Sequence, residues 1–198
     1  MGAALMDAPM YETTLSQVDC ELDGLIDILV RERVTRFLEV GSRYGGSLWR
    51  IANALPKGSV IVSCDSGGGM GGNKPGATDS LKACIAKLNE IGYHAHLVVG
   101  DSQKEDTIDA VLKHRPFDAA FIDADHEYKG VKRDWLNYGP HARIVAFHDI
   151  GWKKPEKYLQ SKLVEVPEFW RDIRGQFRHE EFIDYSTGKT MGIGVIWR

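Results

Sequence analysis

Cysteine is scarce in this chain of 198 residues: Cys20, Cys64 and Cys84 form an odd set without metal-type spacing. That argues against a disulfide framework or a zinc knuckle, and the expectation is reduced thiols in a cytoplasmic protein. An excess of one charge is missing too. Lys and Arg number 25 against 28 Asp and Glu, for a net charge of −3, and no basic block stands out. This argues against a nucleic-acid or acidic-membrane partner. No apolar run is long enough to span a bilayer. The start of the chain lacks a basic region followed by an apolar core, so no export signal is expected. Position six after Met1-Gly2 is Met6, not Ser or Thr, which speaks against an N-terminal myristoyl group. Neither an internal repeat nor a second domain is evident.

What is present suits one globular domain with a real core. The chain is organised around Arg36-Phe37-Leu38-Glu39-Val40-Gly41-Ser42-Arg43-Tyr44-Gly45-Gly46-Ser47. Its first half is a short apolar strand and its second a glycine-rich turn. Leu48, Trp49, Ile51, Ala52 and Leu55 then fall at helical spacing. Strand, glycine turn and helix open many nucleotide-binding α/β domains, because glycine admits a ligand close to the backbone and a helix N-terminus offers free N–H groups. The spacing is not that of a dinucleotide fingerprint. Glu39, two residues before Gly41, would repel a pyrophosphate but suits a cationic amino group. The plainer alternative is a strand-to-helix turn with glycine for steric reasons alone.

Around this stretch strands and helices alternate. Met1–Tyr11 shows no period. Leu15, Val18, Leu22, Leu25, Ile26 and Leu29 predict an amphipathic helix ending near Arg31–Arg33, either a packing helix or a flap over a ligand. Ser59–Asp65 is a strand ending in an acid a little over twenty residues after Gly41. Open α/β sheets place there the carboxylate that takes two ribose hydroxyls; a helix cap is the alternative. Ser66–Gly76 is too rich in glycine for helix or strand. Leu81, Ile85, Leu88 and Ile91 predict a helix stopped by Gly92. The strand at His96–Val99 runs into Gly100-Asp101-Ser102, and a helix at Ile108–Leu112 stops before Pro116. Phe117–Asp123 is a strand opening into Ala124-Asp125-His126-Glu127-Tyr128. Val131, Trp135 and Tyr138 mark a helix, and Ala142–Phe147 a strand ending in His148-Asp149. Val166-Pro167-Glu168 reads as a helix start. Phe182–Tyr185, Ser186–Lys189 and Met191–Trp197 read as strand, turn and strand. The alternation implies an α/β fold, a mainly parallel sheet with helices on both faces. Five successive strands carry Glu39, Asp65, Asp101, Asp123 and His148-Asp149 at their carboxyl ends, where such sheets bind ligands.

The acid-x-Gly-x-x-x-Gly pattern of Glu39, Gly41 and Gly45 resembles the first motif of the class I S-adenosylmethionine-dependent methyltransferases. Phe121–Tyr128 and Ala146–Trp152 resemble the fourth- and fifth-strand motifs of metal-dependent small-molecule O-methyltransferases and of the related cephalosporin-hydroxylase-like group. The resemblance runs from about Val34 to the end. It implies a Rossmann-like sheet closed by an antiparallel C-terminal strand, with residues 1–33 as tail and amphipathic helix and 34–198 as the cofactor-binding domain. It also implies a transferase that methylates an oxygen of a small-molecule acceptor. Glu39 would hold the amino group of the methionine moiety, the Gly41–Gly46 backbone would lie alongside, Asp65 would take the ribose and Asp101 or Ser102 the adenine. Ser42, Gly45, Ser47, Ser66 and Asp123 complete the expected cofactor-binding set.

In the catechol and caffeoyl-coenzyme A type relatives, the strand-four Asp and an Asp-Asn pair after strand five hold magnesium. Asp123, His148 and Asp149 fall on those positions, with one ligand type changed. Imidazole would tilt such a site from magnesium towards manganese, iron, zinc or nickel. His126 falls where these relatives carry a basic residue near the acceptor hydroxyl, and its ordinary pKa suits a general base. His126 and Asp123 are thus the candidate catalytic residues. Two alternatives stand beside methyl transfer. One is a non-haem iron oxygenase using His126, His148 and Asp123 as a facial set; the other is a non-catalytic cofactor-binding subunit. A nicotinamide-binding domain fits Glu39 and the glycine spacing poorly.

Overall fold

The structure, a computed structural model, describes residues 9–67, 76–151, 164–186 and 191–198. Among the described residues fourteen α-helices and β-strands follow in chain order: α1 (Met10–Thr13), α2 (Asp19–Arg31), β1 (Arg36–Val40), α3 (Gly46–Ala54), β2 (Val60–Asp65), α4 (Ala77–Glu90), β3 (His94–Val99), α5 (Glu105–Leu112), β4 (Phe117–Ile122), α6 (Tyr128–Tyr138), β5 (Ala142–His148), α7 (Val166–Arg174), β6 (Arg178–Phe182) and β7 (Ile193–Trp197). Most of the glycine-rich loop after Ser66, the aromatic Trp152 and part of the Ser186–Lys189 turn lie outside the described residues.

One seven-stranded sheet runs β3-β2-β1-β4-β5-β7-β6. The first five strands are parallel, and β7 enters antiparallel between β5 and β6. The expected Rossmann-like architecture with an antiparallel C-terminal strand is therefore the one observed. The chain leaves β1 in one direction to build β2 and β3, and returns to build β4 and β5 on its other side. That reversal opens a crevice between the carboxyl ends of β1 and β4.

Alternation along β1 sends Phe37 and Glu39 to one face and Leu38 and Val40 to the other. Phe37 joins Leu22, Leu25, Leu48, Ile51 and Leu88 under α2, α3 and α4. Leu38 and Val40 join Tyr138, Phe147, Phe169 and Trp170 under α6 and α7. Each fully buried Leu, Ile or Phe in these two layers contributes about 1.5–3 kcal/mol relative to exposure. Glu39 is thus a carboxylate in an otherwise apolar layer.

Two boundaries differ from expectation. α2 starts at Asp19, not at Leu15, and the residues before it form a separate short helix and an extended stretch. The first strand of the C-terminal pair is Arg178–Phe182, not Phe182–Tyr185. Its sequence, Arg-His-Glu-Glu-Phe, lacks apolar alternation because β6 is an edge strand, and edges tolerate or prefer charge. Ile183 instead packs beside Gly151 and Gly192. Among the described residues no helix is long and apolar enough to cross a membrane.

Candidate active site

β1 ends in Glu39-Val40, and the turn that follows depends on glycine at three places for three reasons. Gly41 has φ 95°, and a Cβ on it would stand 2.3 Å from the backbone oxygen of Asp123. Only glycine allows β1 and the end of β4 to come so close. Gly45, at φ 91°, caps α3 in the left-handed region and packs on Cys84 and Leu81. A Cβ on Gly46 would meet the carbonyl oxygen of Thr14 at 2.1 Å. Gly46 thereby makes room for the stretch between α1 and α2.

A cavity of about 730 Å³ opens over this turn. Gly41, Ser42, Arg43, Tyr44, Gly46 and Ser47 form its floor, Asp65 and Ser66 one side, and Asp101, Ser102 and Gln103 the far end. Asp123, Asp125, His126, His148 and Asp149 form the opposite end, and Thr14, Ser16 and Gln17 cross one margin. Of the expected cofactor residues, Gly41, Ser42, Ser47, Asp65, Ser66, Asp101, Ser102 and Asp123 are on the wall. Two are not. Gly45 faces α4, as its packing requires. Glu39 is wholly buried beside Ser42 and Ser47 and sits one layer behind the wall.

Both carboxylate oxygens of Glu39 lack a hydrogen-bond partner. Burial pushes its pKa up to about 8; the neighbouring Ser47 and Ser42 hydroxyls lower it in part, though neither makes a bond of ordinary geometry. Ser42 Oγ accepts the Ser63 hydroxyl at 2.7 Å. A buried acid without a partner costs free energy, and a cation or donor at the Ser42–Ser47 wall would relieve it.

Asp65 serves two purposes at once. Its Oδ2 accepts the Arg43 N–H at 2.7 Å and its Oδ1 accepts the Gly67 N–H at 2.8 Å, so it ties the loops after β1 and β2 together. A carboxylate has about four acceptor positions, which leaves capacity for hydroxyls in the cavity. Asp101 likewise accepts the Gln103 N–H at 2.9 Å while remaining exposed at the cavity. Ser102 is turned partly to α6: its carbonyl oxygen accepts the Tyr138 hydroxyl at 2.7 Å, and its side chain lies beside the buried Asp134.

At the other end four side chains form one network. His126 Nδ1 lies 2.6 Å from Asp149 Oδ2, and His148 Nδ1 lies 3.0 Å from Asp123 Oδ1. His126 Nε2 stands 3.7 Å from that same Asp123 oxygen. Asp149 is held at φ 62°, a strained conformation for a residue with a Cβ, and this aims its carboxylate at both imidazoles. Burial works against the charged form of His126, but Asp149 and Asp123 outweigh it and raise its pKa. For His148 the same contest, with Asp123 foremost, ends at about 9. Burial raises the Asp149 pKa, and the two histidines more than reverse that. Tyr128 takes no part: its hydroxyl donates to Asp172 at 2.7 Å and its ring packs on Phe169.

The expected metal set does not assemble. Asp123 Oδ1 takes His148 Nδ1 and Asp149 Oδ2 takes His126 Nδ1, and among the described residues no three His, Cys, Asp or Glu side chains are arranged to hold a metal ion. The facial set of His126, His148 and Asp123 fails for the same reason, since Asp123 Oδ1 already takes His148. The residues present do not fit a resident metal.

No motif points to Thr14, Ser16 and Gln17, which lie far from the motif residues and carry no pattern of their own. Gln103 and Asp125 were equally silent; they pair at 3.1 Å on the cavity wall. Gly130 could have pointed to Asp125, because a Cβ there would overlap its carboxylate.

A wound parallel sheet with a glycine turn, an acid at the end of β2 and a cavity at the strand reversal defines a Rossmann-like α/β domain. The model of the methyltransferase-domain family matches residues 38–150, and the chain belongs to that family. Similar solved structures share the fold. One is the O-methyltransferase TomG from Streptomyces achromogenes, involved in tomaymycin synthesis and solved with SAM. It is 16% identical, with a TM-score of 0.67 over 100% of this chain and 90% of that one. Another is an O-methyltransferase from Bacillus cereus in complex with SAH, 14% identical, with a TM-score of 0.65 over 92% of this chain and 83% of that one. No curated protein matches the chain.

Proposed function

We propose that this protein transfers a methyl group from S-adenosylmethionine to an oxygen of a small molecule. The observation that carries the reading is Glu39, a buried carboxylate with both oxygens unpartnered, one layer behind the Ser42–Ser47 wall of the cavity that Asp65 lines. An amino group at that wall would satisfy Glu39, and ribose hydroxyls would use the remaining acceptor capacity of Asp65. TomG and the Bacillus cereus enzyme, solved with SAM and SAH, support the same choice of cofactor.

When bound, S-adenosylmethionine supplies an electrophilic methyl carbon on a sulfonium. The chain's own residues supply the rest. Asp149 holds His126 through Nδ1, which leaves Nε2 as the free base. His126 Nε2 would take the proton of the acceptor hydroxyl, and the sulfonium, when bound, would supply the methyl carbon and leave as a neutral thioether with the electron pair of the broken carbon–sulfur bond. The resulting imidazolium is stabilised by Asp149 and by Asp123 at 3.7 Å. Orientation of the acceptor about 3 Å from the carbon is the larger part of such catalysis.

The test is incubation with methyl-labelled S-adenosylmethionine and a panel of catechol, phenol and sugar acceptors. Label is expected on an acceptor oxygen, with His126→Ala about 100-fold slower or worse. Label on no oxygen acceptor, or on a nitrogen acceptor only, would overturn the reading.

A further inference from the structure

We infer that Gln17 is a positioning residue, which joins the stretch ahead of α2 to the transfer end of the cavity by holding Asp123. The inference rests on the methyl-transfer reading above. Gln17 Nε2 donates to Asp123 Oδ2 at 2.5 Å, across 106 residues of sequence. Gln17 is only 9% exposed and stands on the cavity wall. Asp123 therefore uses its two oxygens for different neighbours: Oδ2 for Gln17, and Oδ1 for His148 at 3.0 Å and, more loosely, His126 at 3.7 Å. Fixing one oxygen fixes the plane of the carboxylate, and with it the oxygen that faces both imidazoles.

The stretch that carries Gln17 is itself tied down on the opposite side of the cavity. Tyr11 is buried against the Trp49 ring at 5.1 Å. The Thr14 carbonyl sits where a side chain on Gly46 would be. Arg43 donates to Ser16 Oγ at 2.8 Å. Tyr11, Thr14 and Ser16 all anchor to α3 and the loop before it, on the Glu39 side. Gln17 alone of these residues reaches over to β4. The residues between α1 and α2 are thus a bridge from the cofactor loop to the acceptor end, and Gln17 is its far footing.

The test uses the full chain with Gln17→Met, which keeps length and volume but donates nothing, and Gln17→Ala as a check on packing. Two quantities are read: the ring ¹⁵N spectra of His126 and His148, and affinity for S-adenosylhomocysteine by calorimetry. Expected in Gln17→Met are backbone amide signals like the wild type's across β1–β5, moved ring signals for both histidines, and an affinity within about twofold of wild type. Methyl transfer by this variant falls by about tenfold or more. Ring signals identical to wild type in a protein that still binds the nucleoside would remove Gln17's role alone. An affinity lowered tenfold would make Gln17 a cofactor contact and overturn the assignment. A wild-type protein that binds no nucleoside would remove the methyl-transfer reading and this role together.

Discussion

His126 shows most directly how chemistry depends on neighbours. An exposed histidine would be a base of ordinary strength; here the 2.6 Å contact with Asp149 and the nearby Asp123 raise its pKa despite burial. The base form is the one that accepts a proton, so turnover should rise with pH through a midpoint above the ordinary histidine value of 6.5. Replacing Asp149 with Asn removes the charge that favours imidazolium. The midpoint of the rate profile in Asp149→Asn should therefore move down, while the maximal rate also falls because the ring is less well held. A midpoint unchanged in that variant would mean another group titrates in the rate. Asp149 takes its strained φ directly after the β5–β7 pairing, which ends at His148 and Ile193. That strain was not legible beforehand: in the sequence His148 and Asp149 fall on metal-ligand positions, and the paired distances show a hydrogen-bonded network instead.

At the scale of elements, the parallel strands were legible because buried strands are continuous apolar runs bounded by turn residues, as Ser59–Asp65 and Ala142–Phe147 are. β6 was not, because an edge strand of Arg, His and Glu has no apolar face to betray it. The stretch ahead of α2 was also opaque. Leu15 and Val18 continue the helical spacing of Leu22 and Leu25, so pattern alone extends the helix too far. What stops it is tertiary: Thr14 is fitted against Gly46, and Gln17 against Asp123. Gly46 therefore tests the arrangement of this element. A methyl group in Gly46→Ala would have to displace backbone, since the nearest atom is a carbonyl oxygen at 2.1 Å. Gly46 is in α3, where alanine is intrinsically favoured over glycine by about 1 kcal/mol, so α3 itself should persist. Hydrogen exchange of the amides from Tyr11 to Val18 should accelerate in Gly46→Ala, with those of β1, β2 and β4 unchanged. Exchange at wild-type rates in that stretch would show that its seat on α3 contributes little.

For the whole molecule, the fold places five strand ends around one cavity and leaves Glu39, behind its wall, in an unfavourable state until something answers it. With its folded pKa raised from 4.5 to about 8, Glu39 favours the fold below its ordinary value, and that contribution is lost as pH rises through about 8. A ligand whose ammonium group pairs with the ionised form reverses the preference. Binding must then expel the proton that burial had kept on the acid, and affinity must depend on pH with a known sign. The most direct measurement is calorimetry of S-adenosylhomocysteine binding between pH 6 and pH 9, about the value near 8, in buffers of different ionisation enthalpy. The account predicts affinity in the micromolar range, a release of about one proton below the Glu39 pKa and affinity that rises with pH until that value is passed. Glu39→Gln should flatten this dependence, and Asp65→Ala should weaken binding about tenfold or more at every pH. No heat of binding, or a pH dependence that survives intact in Glu39→Gln, would contradict it.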